Sequence, residues 1–155
     1  MRKQGSSWGL WLATAISALI VLSGAYAEMT RRPANAQDEL RIALQELRSQ
    51  VEESGLLATH AKNGQPPREF VREHAHQLEK HMQTSVDDVR KKGDRAGRTE
   101  VGRDAAMRGE DALASLRRLR SQPATAATLD AIASKMESSS RELSRLLSAV
   151  PQPRR

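Results

Sequence analysis

The sequence predicts an all-α protein: an up-and-down four-helix bundle behind an N-terminal apolar helix, or an extended helical hairpin built from the same segments. Three observations lead there. Apolar residues recur at spacings of three, four and seven in four segments of similar length, the period of helices with one buried face. The chain holds one Phe and one Tyr, and its two Trp stand at Trp8 and Trp11, so a core must be made of Leu, Ile, Val, Met and Ala. Those residues suit helix-on-helix packing. No run alternates β-branched or aromatic residues between turns, so strand signals are missing.

The N-terminal segment comes first in the chain. Arg2 and Lys3 give a basic start, Leu10 to Leu22 form an apolar run, and Ala25-Tyr26-Ala27 places small residues where a signal peptidase reads. That order is a secretory signal. Trp8 to Ala27 is 20 residues, long enough to cross a hydrocarbon core of about 30 Å. A retained single-pass anchor is therefore the alternative to cleavage. The expected organisation is residues 1–27 as signal peptide or transmembrane anchor, 28–36 as linker, 37–150 as helical bundle and 151–155 as basic tail. The expected location is periplasmic or otherwise extracytoplasmic. With the anchor retained it is the inner membrane, the C-terminal domain lying outside the cytoplasm.

Asn35, after Pro33, is the expected N-cap of the first long helix, with Leu40, Leu44, Leu47, Val51 and Ala58 as its seam. Asn63-Gly64-Gln65-Pro66-Pro67 ends it at about His60 to Lys62, because Gly favours the C′ position and Pro cannot continue the ladder. The second helix starts near Pro67, and its stripe is Phe70, Val71, His74, Leu78, Met82, Val86 and Val89. Lys91-Lys92-Gly93 offers a cationic, glycine-terminated end. Gly97 and Gly102 weaken the next stretch, so the third helix is expected from about Asp104 to Arg120. Ala105, Ala106, Ala112, Leu113, Leu116 and Leu119 share its apolar face. Thr125 or Thr128 caps the fourth helix, in which Leu129, Ile132, Met136, Ser139, Leu143, Leu146 and Val150 follow a seven-residue repeat until Pro151.

The net charge of +6 falls to +4 if Arg2 and Lys3 are removed with a leader. There is no Cys, so an oxidising compartment brings no disulfide framework and stability rests on packing.

Motifs that carry chemistry are sparse. Helix pairing could bring His60 near His74, with Glu73 and Glu69 completing a nitrogen-and-oxygen site for zinc, copper or nickel. No H-x-x-x-H or H-E-x-x-H pair fixes two ligands on adjacent turns, and the expected cofactor is none. Ser138-Ser139-Ser140 lacks both the G-x-S-x-G and the S-x-x-K context. Asp87-Asp88 and Glu52-Glu53 point about 100° apart on their helices and form no acid–base dyad. Residues 90–120 hold ten Lys or Arg against five acids. Arg90, Lys91, Lys92, Arg95, Arg98, Arg117, Arg118 and Arg120 are therefore a candidate basic surface for anionic lipid or an envelope polymer. No aromatics interleave them for base stacking, which disfavours nucleic acid.

The expected function is non-enzymatic: an exported envelope protein whose bundle is a protein-binding, adaptor or structural module, working through an envelope partner or self-association. Two alternatives stand beside it. One is a periplasmic metal-binding or metal-sensing protein using the histidines. The other is a membrane-anchored coiled coil bridging envelope layers, similar to the inner-membrane spanins of phages.

Overall fold

In the computed structural model, the backbone is described for residues 7–65, 67–121 and 125–152, with side chains from Asn35 onward. Those residues form four helices and no strand: α1 (Ser7–Lys62), α2 (Arg68–Arg95), α3 (Thr99–Ser121) and α4 (Ala126–Ala149). The chain divides into two units, Met1–Asn35 and Ala36–Arg155. Asn35 and Pro33, expected at a helix start, lie within α1. Among the residues described with side chains, no helix is long and apolar enough to cross a membrane. The Trp8–Ala27 side chains, the basic start and the tail's Arg154 and Arg155 lie outside the described residues.

Within Ala36–Arg155 the four helices share one core. Leu40, Leu44, Leu47 and Val51 of α1, Met82, Val86 and Val89 of α2, Leu116 of α3 and Leu143 of α4 are all fully buried. Cross-helix contacts fix the directions. Arg41 Nη1 donates to Val150 O at 2.8 Å, and Lys62 Nζ donates to Asp130 Oδ1 at 2.7 Å. α4 therefore runs back along α1. Arg90 meets Glu110 at 2.7 Å and Arg117 meets Glu79 at 2.8 Å, so α3 returns along α2. Lys135 and Asp111, 3.1 Å apart, tie α4 to α3. A chain extended as a rod would make none of these closures.

The seams follow the expected periods, with Ser filling the steps where an apolar residue is absent. Ser54 and Ser139 are buried, and Ser54 donates its hydroxyl to Gln50 O at 2.7 Å, so its donor is not stranded. Phe70 corrects the expected α2 stripe: it lies in the first turn, 54% exposed, outside the layer closed by Val71 and Ala75. Met107 also lies outside the core, 46% exposed.

Glycines set both the helix ends and the closest helix contact. α1 ends with Gly64 at φ 67°, where Gln65 N bonds His60 O and Gly64 N bonds Ala61 O. α2 ends the same way, but at Gly97 (φ 65°) and not at Gly93. Arg98 N bonds Gly93 O at 2.8 Å and Gly97 N bonds Asp94 O at 3.1 Å, the paired bonds of a Schellman stop. Gly93 and Gly102 instead let α2 and α3 touch: a Cβ on Gly102 would lie 2.7 Å from Val89 O and 3.0 Å from Gly93 Cα. α3 starts at Thr99, ahead of the expected Asp104, so Gly102 lies inside it. At the head of α4, the Thr125 hydroxyl accepts from Thr128 N at 3.2 Å.

Candidate functional site

Adjacent residues of a helix point about 100° apart, so Leu56 and Leu57 cannot share a face. Leu57 is buried, whereas Leu56 is 60% exposed. The Schellman stop at Gly64 turns the chain so that the start of α2 lies beside the end of α1. A groove of about 380 Å³ opens there, lined by Leu56, Leu57, His60, Gln65, Phe70, His74 and Glu53. The Phe70 and His74 rings stack, one turn apart, with centroids separated by 5.6 Å. His74 Nε2 lies 2.9 Å from Glu53 Oε1 and fastens α2 to α1 across the groove floor. His60 Nδ1 lies 3.1 Å from Gln65 Oε1.

His60 and His74 both line this groove. Their neighbours differ from the expected set. Glu53 faces His74, while Glu73 bonds Gln77 on its own helix at 3.3 Å and Glu69 lines a separate pocket. Among the described residues no three His, Asp or Glu side chains converge to hold a metal ion. Glu53 carries no distinguishing sequence signal, since it is one of several acids on an exposed helix face.

A second, wider groove of about 690 Å³ runs between α1 and α4. Gly55 lies where α1 and α4 come close, since a Cβ there would stand 3.2 Å from Met136 Cβ. Glu52 accepts from Arg48 Nε and from Ser140 Oγ, both at 2.8 Å. Its carboxyl is held below the usual value by the Arg48 hydrogen bond, then by that from Ser140, with the Arg48 charge adding and burial opposing.

The eight basic residues expected as one surface do not form one. Arg90, Lys91, Lys92, Arg95 and Arg98 stand where α2 ends and α3 begins; Arg117, Arg118 and Arg120 stand at the far end of α3. From Arg98 to Arg117 the rise is about 28 Å. Four of the eight are also paired: Arg90 with Glu110, Lys92 with Asp88, and Arg117 and Arg120 with Glu79. Arg68 and Arg72, absent from that expected set, approach Arg120 from α2. Sequence distance hides this: 48 positions separate Arg72 from Arg120.

No family model, curated protein or solved structure matches the chain.

Proposed function

We propose that the chain is an exported, non-enzymatic envelope protein whose bundle docks an amphipathic helix of another envelope protein. The observation that carries this reading is the placement of Leu56 and Phe70. The chain's one Phe is left 54% exposed, beside a Leu that is 60% exposed, on the two walls of one groove. Apolar anchors flanking a cleft between helices suit helix-in-groove recognition, in which side chains at i and i+3 or i+4 enter the cleft. Export rests on the basic start, the Leu10–Leu22 run and Ala25-Tyr26-Ala27. Cleavage after Ala27 releases the bundle, and retention of the segment leaves it tethered to the inner membrane by a single pass. Both place the groove outside the cytoplasm.

The test is a photocrosslinking amino acid at position 70 of the full chain in its native cells, with position 95 as an exposed control at the other end of α2. A discrete adduct with a second protein from position 70 alone is the expected result. Adducts only with another copy of this chain would replace the partner by self-association. Equal labelling from both positions would overturn the docking groove.

A further inference from the structure

We propose that the pocket between the start of α2 and the end of α3 binds a phosphate group. It is a polar recess of about 300 Å³ lined by Arg68, Glu69, Arg72, Arg120 and Ser121. Arg68 and Arg72 are one turn apart on α2 and face the same way. Arg120 reaches the recess from the antiparallel α3. Opposite faces of α2 serve the two sites, with Phe70 and His74 turned to α1 and Arg68 and Arg72 to α3. The inference therefore stands apart from the docking groove.

Among the described residues, two of the three arginines in this recess are left without an internal carboxylate partner. Arg48, Arg90, Arg103, Arg117, Arg141 and Arg145 each meet a carboxylate of the chain. Arg68 and Arg72 meet none among the described residues, nor do Arg41, Arg95, Arg98, Arg108 and Arg118, but only Arg68 and Arg72 share a recess with a third arginine, Arg120. Arg120 is held in position beside them. Its Nη1 lies 3.0 Å from Glu79 Oε2, without the alignment of a hydrogen bond, and 2.7 Å from His76 Nδ1, which accepts from it. Glu79 is 16% exposed and also takes Arg117 Nε at 2.8 Å. One guanidinium is thus fixed by a half-buried network, and two long side chains stand ready to close on a guest.

Charge and geometry select the guest. Arg68, Arg72 and Arg120 outnumber Glu69 and the Glu79 carboxylate that Arg120 shares with Arg117, so the recess keeps a net positive charge that favours an oxyanion. Guanidinium forks bond tetrahedral oxyanions through paired N–H groups. A lone carboxylate would occupy one fork and leave the others unmatched. Inorganic pyrophosphate and a phosphomonoester lipid headgroup share this chemistry, so both enter the test.

The full chain is titrated calorimetrically with pyrophosphate at low salt, then mixed with phosphatidylcholine vesicles with and without phosphatidate. Arg68→Gln/Arg72→Gln is compared with Arg95→Gln/Arg98→Gln at the other end of the helix pair. The expected result is saturable pyrophosphate binding that weakens at least tenfold in the first double variant and less than twofold in the second. Arg72→Lys, which keeps the charge and loses the fork, should also weaken it. Competition by phosphatidate vesicles would identify a headgroup site, and its lack a site for soluble phosphates. No saturable heat at millimolar pyrophosphate, or equal weakening in both double variants, overturns the proposal. Unchanged far-ultraviolet circular dichroism in the exposed-site variants keeps those outcomes readable.

Discussion

Gly102 and Gly109 occupy the same helix and answer the same substitution differently. A Cβ on Gly102 meets backbone, Val89 O at 2.7 Å and Gly93 Cα at 3.0 Å, so only separation of α2 from α3 can relieve it. On Gly109 it meets side chains, Val86 Cγ2 and, at 3.2 Å, Leu47 Cδ1, which can shift. Replacing a helical Gly by Ala otherwise gains about 1 kcal/mol. Gly109→Ala should therefore lose no more than about 1–2 kcal/mol after overpacking is counted. Gly102→Ala should lose at least about 3 kcal/mol. Urea melts of the two variants check the order, and equal losses would remove the backbone contact from the account. Glu52 gives a second test at this scale. A carboxyl held below its ordinary 4.5 stabilises the fold fully above that value and loses the contribution as pH falls through the lowered value. Glu52→Gln should be less stable than the parent at pH 7, by about 0.5 kcal/mol for so exposed a pair. Denaturant midpoints should converge as pH falls below the ordinary 4.5 and through the lowered value, where the carboxylate takes up its proton.

Helix ends and seams are separate signals, legible to different degrees. The seams of α1, α3 and α4 can be read directly, because a fixed hydrophobic period has only one face that buries it. Ser139 keeps its place in the α4 repeat and is buried there. The end of α2 lies four residues beyond the expected one, at Gly97 in place of Gly93. Either glycine can serve as a stop, and only the packing of Gly93 against Gly102 shows which one is needed for contact. The period of Phe70 points to the core, yet its turn extends past the buried layer, which no local pattern reveals. The candidate site is less legible than the fold. The short loop is enough to place His60 and His74 along one groove, but Glu53, Leu56 and the arginine recess depend on long-range register. The Thr125 cap is legible from Thr placed after a Pro and before an apolar period. Removing it in Thr125→Ala leaves Thr128 N without its side-chain acceptor. A loss of about 1 kcal/mol is expected in thermal or urea melts, and no loss would mean another group caps α4.

At the scale of the whole molecule, α4 closes on α1 within one chain, and a swapped dimer would make the same contacts between two chains. The lack of Cys makes the difference measurable. Lys62→Cys/Asp130→Cys places two thiols at an ion pair of 2.7 Å that joins residues 68 positions apart. A short bifunctional thiol reagent should give a monomer of altered mobility, whereas dimers alone would show that α4 is exchanged. The grooves, the arginine recess and the fold all acquire their proposed roles from the compartment in which the bundle works. Fusing alkaline phosphatase, and in parallel a fluorescent protein that matures only in the cytoplasm, after Arg155 tests that directly. Export gives active phosphatase and dark cells. Inactive phosphatase beside bright fluorescence would contradict the account.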